Sequence, residues 1–441
     1  MAMFQESLEN LKNIAQADHL SKHVKKLTFF CDILPDFGTI EEYARSLKQK
    51  QNFRSWHDSG NRELILGEWQ LWQDSPAFSL SSHDVEGGWE AYERLRHEQE
   101  DWTVAREGLV LADTLCRLPS LSEANVTCGS YSTKDESNGW PLWRRLRKSM
   151  YMGPADWIFA DDRGEGFTET SSVNAVLSLL EGLAARSNYA RFVEGRTTKL
   201  SLVTGVQDSC QSARSQSYDK DLPFNLDRTS HAFDYVVDLR IHIMDAIRFM
   251  KTRKRIQNEL SIFLRRAQML KRLELLLKST HHEGEVILYP KIFDIYPEIF
   301  DSNTIAWPQI QSLSLMVDIP SKVLLNFLAL HAATIKELRL EHMVLGDVPF
   351  LLERIPSILH LQAVYLHDVY HCGVRRPGKP HELIAYLLDI CGSDGTASYE
   401  TALRAWLLGR SGLMPDLSQD GLGHRKVLKD KTVMEADCRD I

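Results

Sequence analysis

One short pattern constrains this chain more than anything else in it: an apolar residue, two free positions, an apolar residue, one free position, and a third apolar residue. It occurs as Ile310, Leu313 and Leu315, again as Ile335, Leu338 and Leu340, and again as Leu361, Val364 and Leu366. The central residues Leu313, Leu338 and Val364 follow one another at 25 and 26 positions. That period holds one short strand and one helix, a unit that buries its apolar face only by stacking on copies of itself. Stacked units make a solenoid with a curved sheet on its inner side, and the inner side is where such arrays bind.

Weaker copies lie upstream. Val236, Leu239 and Ile241 fit the pattern well, as do Leu270, Leu273 and Leu275. Looser copies are Val24, Leu27 and Phe29; Leu121, Ala124 and Val126; and Thr197, Leu200 and Leu202. From Leu27 onward the central residues are 97, 76, 39, 34, 40, 25 and 26 positions apart, so only the last two intervals match a regular leucine-rich-repeat period. The earlier units must carry insertions, which in a solenoid fall on loops between strand and helix. The fold class is therefore α/β, a leucine-rich-repeat-like solenoid with a curved parallel sheet of about eight strands and outer helices, its N-terminal repeats irregular and interrupted by long insertions. Residues 1–408 form this domain, with irregular repeats over 7–230, more regular ones over 231–375 and a C-terminal helical cap over 376–408. Beyond Gly409 the apolar periodicity stops, and 409–441 reads as a disordered tail.

Helical spacing recurs between the strands. Val323, Leu324, Phe327, Leu328 and His331 share a face behind Pro320 and a cap candidate at Ser321. Ile256, Leu260, Phe263, Leu264 and Ala267 do the same, as do Val173, Val176, Leu179, Leu180 and Leu183 behind Ser172. Trp89 to Leu118 reads as one longer helical region with a breaker at Gly108. Stretches near 70–88, 129–141, 205–230 and 279–306 are rich in Ser, Asp, Gly or Pro and read as irregular.

Composition narrows the function classes. A net charge of −8 argues against a dedicated nucleic-acid binder, which needs a basic field. Seven scattered cysteines without a C-x-x-C pair read as reduced thiols of a cytoplasmic or nuclear protein. No apolar run approaches the roughly 18 residues of a membrane span, and the first residues lack a signal-peptide profile.

Chemical motifs are sparse. His360, His367, His371 and Cys372 lie close together, but His367 and His371 fall on an expected strand, where residues four apart cannot share one metal. His281 and His282 are a weaker pair, and Asp161 to Gly166 lacks the order of a calcium loop. No phosphate-binding loop, nucleophile elbow or zinc-protease helix is present. Two basic runs, Arg144 to Lys148 beside Trp140 and Trp143, and Arg248 to Arg255, read as solvated faces. The expectation is a protein that is not an enzyme, takes no cofactor or metal, and binds neither nucleic acid nor membrane; a metal-dependent enzyme is the remote alternative.

Several segments carry a family resemblance. Ser7 to Ala15 with His19 to Phe30, Pro141 to Arg147 with Pro154 to Trp157, and the helices at Phe263 to Ala267 and Phe327 to Ala332 resemble parts of filamentous-fungal F-box-type leucine-rich-repeat proteins, over roughly residues 7–370. In that family the F-box is a helical module that docks on the adaptor subunit of a cullin-type ubiquitin ligase, and the repeats select substrates. The F-box itself is not evident ahead of the first strand, so the adaptor subunit is an expected partner only if an upstream F-box exists.

Side-chain alternation along the strands yields a concrete surface. The fourth and sixth residues of each pattern should point inward, and the third, fifth and seventh should face the concave side. The candidate partner-binding residues are Lys26, Thr28 and Phe30; Asp238, Arg240 and His242; Arg272, Glu274 and Leu276; Ser312, Ser314 and Met316; Glu337, Arg339 and Glu341; and Tyr365 and His367. On this reading the protein is a recognition module for a protein partner, with substrate selection for a ubiquitin ligase as what the resemblance implies; a stand-alone interaction scaffold is the alternative. The alternation further predicts that Leu338→Asp disrupts the array, while Arg339→Ala, as a surface change, costs less than about 0.5 kcal/mol.

Overall fold

Each copy of the pattern is a strand, because β-compatible apolar residues at alternate positions fit a pleated surface buried on one side. The computed structural model describes residues 4–31, 34, 37–45, 47, 80–127, 149–151, 173–189, 196–204, 229–244, 253–278, 287–288, 300, 307–317, 319–345, 348–376, 379–390, 398–412 and 425–430. Eight strands run parallel side by side: β1 (Lys26–Phe30), β2 (Glu123–Thr127), β3 (Lys199–Thr204), β4 (Asp238–Met244), β5 (Arg272–Lys278), β7 (Ser312–Met316), β8 (Glu337–Leu345) and β9 (Ala363–Arg376). The two-residue β6 (Ile287–Leu288) lies elsewhere, paired with β11 (Arg425–Asp430).

The register is that of the sequence pattern. Leu27, Ala124, Leu200, Leu239, Leu273, Leu313, Leu338 and Val364 stand side by side across the sheet, fourth position against fourth position throughout. The residues two further on, from Phe29 to Leu366, are buried with them. Pairing begins one step before the strands. The second residue of each pattern donates its N–H to the carbonyl of its counterpart in the preceding unit, from Ser122 to Lys25 at 2.9 Å through to Gln362 to Lys336 at 2.7 Å. The entry to these strands repeats too: Leu121, Val236, Leu270 and Ile310 each donate to the carbonyl three residues back, in Leu118, Phe233, Ala267 and Trp307.

Parallel strands require crossovers, and helices supply most of them. Before β2 come α3 (Ser82–Glu100) and α4 (Val104–Cys116); α5 (Val173–Tyr189) precedes β3, a short 3-10 turn (His231–Phe233) precedes β4, and α6 (Arg253–Arg266) precedes β5. Next, α7 (Ser321–Leu330) precedes β8 and α8 (Val348–Ile358) precedes β9, while α1 (Gln5–Gln16) and α2 (Asp18–Ser21) lead into β1. The inward faces of strands and helices form one continuous apolar core. Among the described residues no helix is long and apolar enough to cross a membrane.

Several local expectations are corrected. The helical region expected from Trp89 to Leu118 is two helices, broken at Asp101 to Thr103 rather than at Gly108. The Thr103 hydroxyl caps α4 by accepting from Arg106 N–H, and Glu107 accepts the Thr103 N–H at 2.8 Å. Gly108 serves packing instead: a Cβ there would lie 3.3 Å from Glu181 Cγ on α5, and one at Gly182 would lie 3.0 Å from Leu111 Cβ. Two glycines thus let α4 and α5 approach closely. The irregular stretch expected near 70–88 includes the start of α3, where Ser81 and Asp84 form a capping box. Pro320, not Ser321, is the N-cap of α7.

The C-terminal end differs most. In place of a wholly helical cap over 376–408, β10 (Lys379–Ile390) runs antiparallel to β9, and only α9 (Ser398–Leu407) is helical. A short apolar run such as Leu383 to Leu388 suits a buried strand as well as a helix, so periodicity alone does not separate them. The tail expected to be disordered contains β11, antiparallel to β10. The candidate caps and motifs at Ser172, His281, Asp161 to Gly166 and Arg144 to Lys148 lie outside the described residues.

Near the middle of the array sits a buried histidine. His331 closes α7 among aromatic rings, its centroid 4.9 Å from Phe327 and 5.9 Å from Trp307, and its Nε2 finds no hydrogen-bond partner among the described residues. Burial lowers its pKa, with the Trp307 backbone acting against that shift. Folding therefore favours the neutral imidazole, and the unfolded chain binds the extra proton. This stabilisation is complete above the ordinary histidine value of about 6.5 and is lost as pH falls below it. Urea midpoints should drop between pH 7.5 and 5.5, and His331→Phe should flatten that drop. An unchanged slope in the variant would remove His331 from the acid response.

Candidate recognition groove

The outward rows of the central strands form a groove of about 900 Å³. Its lining includes Asp238, Arg240 and His242 from β4, Arg272 and Glu274 from β5, Ser312, Ser314 and Met316 from β7, Glu337, Arg339 and Glu341 from β8, and Tyr365 from β9. These are twelve of the seventeen residues singled out by side-chain alternation. The register explains their meeting: Arg240, Glu274, Ser314, Arg339 and Tyr365 occupy equivalent positions on consecutive strands.

Five of the seventeen are not part of it. Lys26 and Thr28 lie on β1, three strands from β4, where Lys26 pairs with Glu123 at 2.9 Å. Phe30 packs against a second apolar cluster built from Phe37, Tyr43, Tyr92 and Met150. It is half-buried there, away from the groove. Leu276 and His367 are half-buried further along β5 and β9, with the His367 ring 6.2 Å from Tyr365. His367 and His371 lie on one strand, about 13 Å apart at the usual rise of about 3.3 Å per residue. Among the described residues no group of three or more His, Cys, Asp or Glu could hold a metal ion.

Charges in the groove are paired across and along strands. Glu274 accepts from Arg240 Nε at 3.0 Å and lies 2.7 Å from His242 Nε2. Burial acts to raise the Glu274 pKa, but the His242 hydrogen bond and the charge of Arg240 outweigh it and hold the carboxyl below its ordinary value. Asp238 lies 3.8 Å from Arg272. Arg339 pairs with the buried Glu341, and its guanidinium stacks 4.3 Å above the Tyr365 ring. Between these charged strands, β7 contributes only Ser312, Ser314 and Met316, which leaves a neutral floor.

Alternation could not find everything. Gln362, a second-position residue, lines the groove just ahead of Tyr365, next to Ala363, which the rule does select. Arg404, Leu408 and Arg410 come from α9 and the residues after it, beyond the strand reversal. They follow no repeat spacing, so no local signal points to them. Trp406 fixes α9 in place by donating from its indole N–H to the Leu352 carbonyl of α8 at 3.2 Å.

No protein-family model matches this chain, and no curated protein or solved structure matches it.

Proposed function

We propose that this protein is a leucine-rich-repeat-type recognition module that binds a protein partner in the concave groove. The observation that carries this reading is the convergence of twelve alternating strand positions on one lining, with Tyr365 and Met316 as large anchors among paired charges. Aromatic, Met and Arg side chains supply most of the affinity at protein interfaces, while complementary charges set register. The further step, selecting substrates for a cullin-type ubiquitin ligase, is supported by the resemblance to filamentous-fungal F-box-type proteins alone.

A photoreactive phenylalanine analogue tests the groove directly. Placed at Tyr365 it should crosslink a partner in cells; placed at Glu353, exposed on the outer helix α8, it should not. Combining Arg339→Glu with Tyr365→Ala should reduce partner recovery by at least about tenfold, the loss expected when one anchor of about 1.4 kcal/mol or more is removed. Equal crosslinking from both positions would place recognition elsewhere on the molecule.

A further inference from the structure

We propose that the groove takes an extended acidic segment of its protein partner, with carboxylates spaced to meet guanidiniums on separate strands. This rests on the groove being the recognition surface and adds the chemistry of what it recognises.

Formal charge in the lining is close to balanced, but its two signs are not equally exposed. In each arginine–carboxylate pair the guanidinium is the more accessible member: Arg272 at 69% against Asp238 at 35%, Arg240 at 48% against Glu274 at 37%, and Arg339 at 53% against Glu341 at 4%. The carboxylates sit lower and are already engaged by cations. A partner therefore meets guanidiniums first. Arg410 adds an exposed cation from the α9 end. Glu337 is an exposed carboxylate that opposes this field.

Geometry sets the spacing. Arg240 and Arg339 share a row and stand three strand spacings apart, about 14 Å at about 4.8 Å per strand. An extended peptide covers that span in four residues, and residues four apart point to the same side. Acidic residues at such positions would face both guanidiniums, with the chain between them lying over the serine floor of β7. A basic segment would have to reach past the guanidiniums to the recessed carboxylates. A nucleic acid fits less well, because the chain carries a net charge of −8 and, among the described residues, Tyr365 is the single Phe, Tyr or Trp in the lining for bases to stack on.

Fluorescence anisotropy with the full chain separates these cases. The probes are three short peptides identical except for Glu, Gln or Lys at two positions four residues apart, and a short single-stranded oligonucleotide. The Glu peptide should bind at least about tenfold more tightly than the Gln peptide, with affinity falling as salt rises. Arg240→Gln, which removes one of the two guanidiniums in that row, should abolish most of that preference, and Arg272→Glu with Arg410→Glu should weaken it, whereas Arg354→Glu on the outer helix α8 should leave it intact. All variants are compared at matched melting temperature, which their exposed positions favour. Tighter binding of the Lys peptide or of the oligonucleotide overturns the proposal. If the Lys peptide wins and Glu337→Gln weakens it, the acidic partner is wrong and the groove remains the recognition surface. Equal binding of all probes, unaffected by the groove variants, removes both.

Discussion

Leu338→Asp should unfold the array or leave it barely stable, with a loss above about 4 kcal/mol in urea denaturation. Leu338 has no exposed surface and lies in register between Leu313 and Val364, in the layer that joins three consecutive units. A carboxylate there loses its hydration with no cation beside it, against a total stability of only about 5–15 kcal/mol. Because each unit is held by its neighbours, the damage should spread to β7 and β9. The adjacent residue gives the contrast. Judged by exposure alone, Arg339→Ala should cost under about 0.5 kcal/mol. However, Arg339 is the ion partner of Glu341, which is 3% exposed, so its removal leaves a buried carboxylate unpaired. The expected loss rises to about 1–3 kcal/mol, and Glu341→Gln in the same chain should recover part of it. A Leu338→Asp protein that melts like its parent would show that the inward row is misassigned.

Trp307→Ala should be nearly as damaging, at about 3–5 kcal/mol. Trp307 is fully buried and donates its indole N–H to the Leu264 carbonyl at 3.0 Å, closing the C-terminal end of α6. Its ring also meets Phe327 at 5.7 Å and His331, which ties α6 to α7 across the β5–β7 junction. Trp307→Phe would retain most of the buried area but leave the Leu264 carbonyl with the longer bond from Ala267 N–H at 3.3 Å, so it should cost about 1 kcal/mol. The same ΔG for both variants, measured by urea unfolding, would show that the hydrogen bond governs the site and the buried area contributes little.

The strands were legible because their signal is local and repeated. Leu313, Leu338 and Val364 announce one another by spacing, and once their template is known even Ala124 and Leu200 can be aligned to it. Most of the groove followed, since the faces of a strand alternate without exception. Other features depend on contacts distant in sequence. Phe30 satisfies the outward rule yet is claimed by an aromatic cluster drawn from residues 37–150, which its neighbours do not reveal. Gly108 looks like a breaker until α5, about seventy residues later, is found against it. Arg404 and Arg410 reach the groove only because the chain reverses after β9, and nothing in their immediate sequence records that return.

That reversal has a consequence for lengthening the protein. Up to β9 every strand offers its neighbour the same parallel edge, so a further unit could dock there. At β10 the direction flips, and the edge beyond it is taken by β11, which runs antiparallel to β10 and pairs in turn with β6, so a unit appended there would have to displace strands already in place. Extra copies can instead enter between existing units, where both neighbours offer parallel edges. A duplicate of 313–337 spliced between β7 and β8 would widen the groove by one strand, about 4.8 Å, and would move the reading frame between Arg240 and Arg339 by more than one peptide residue.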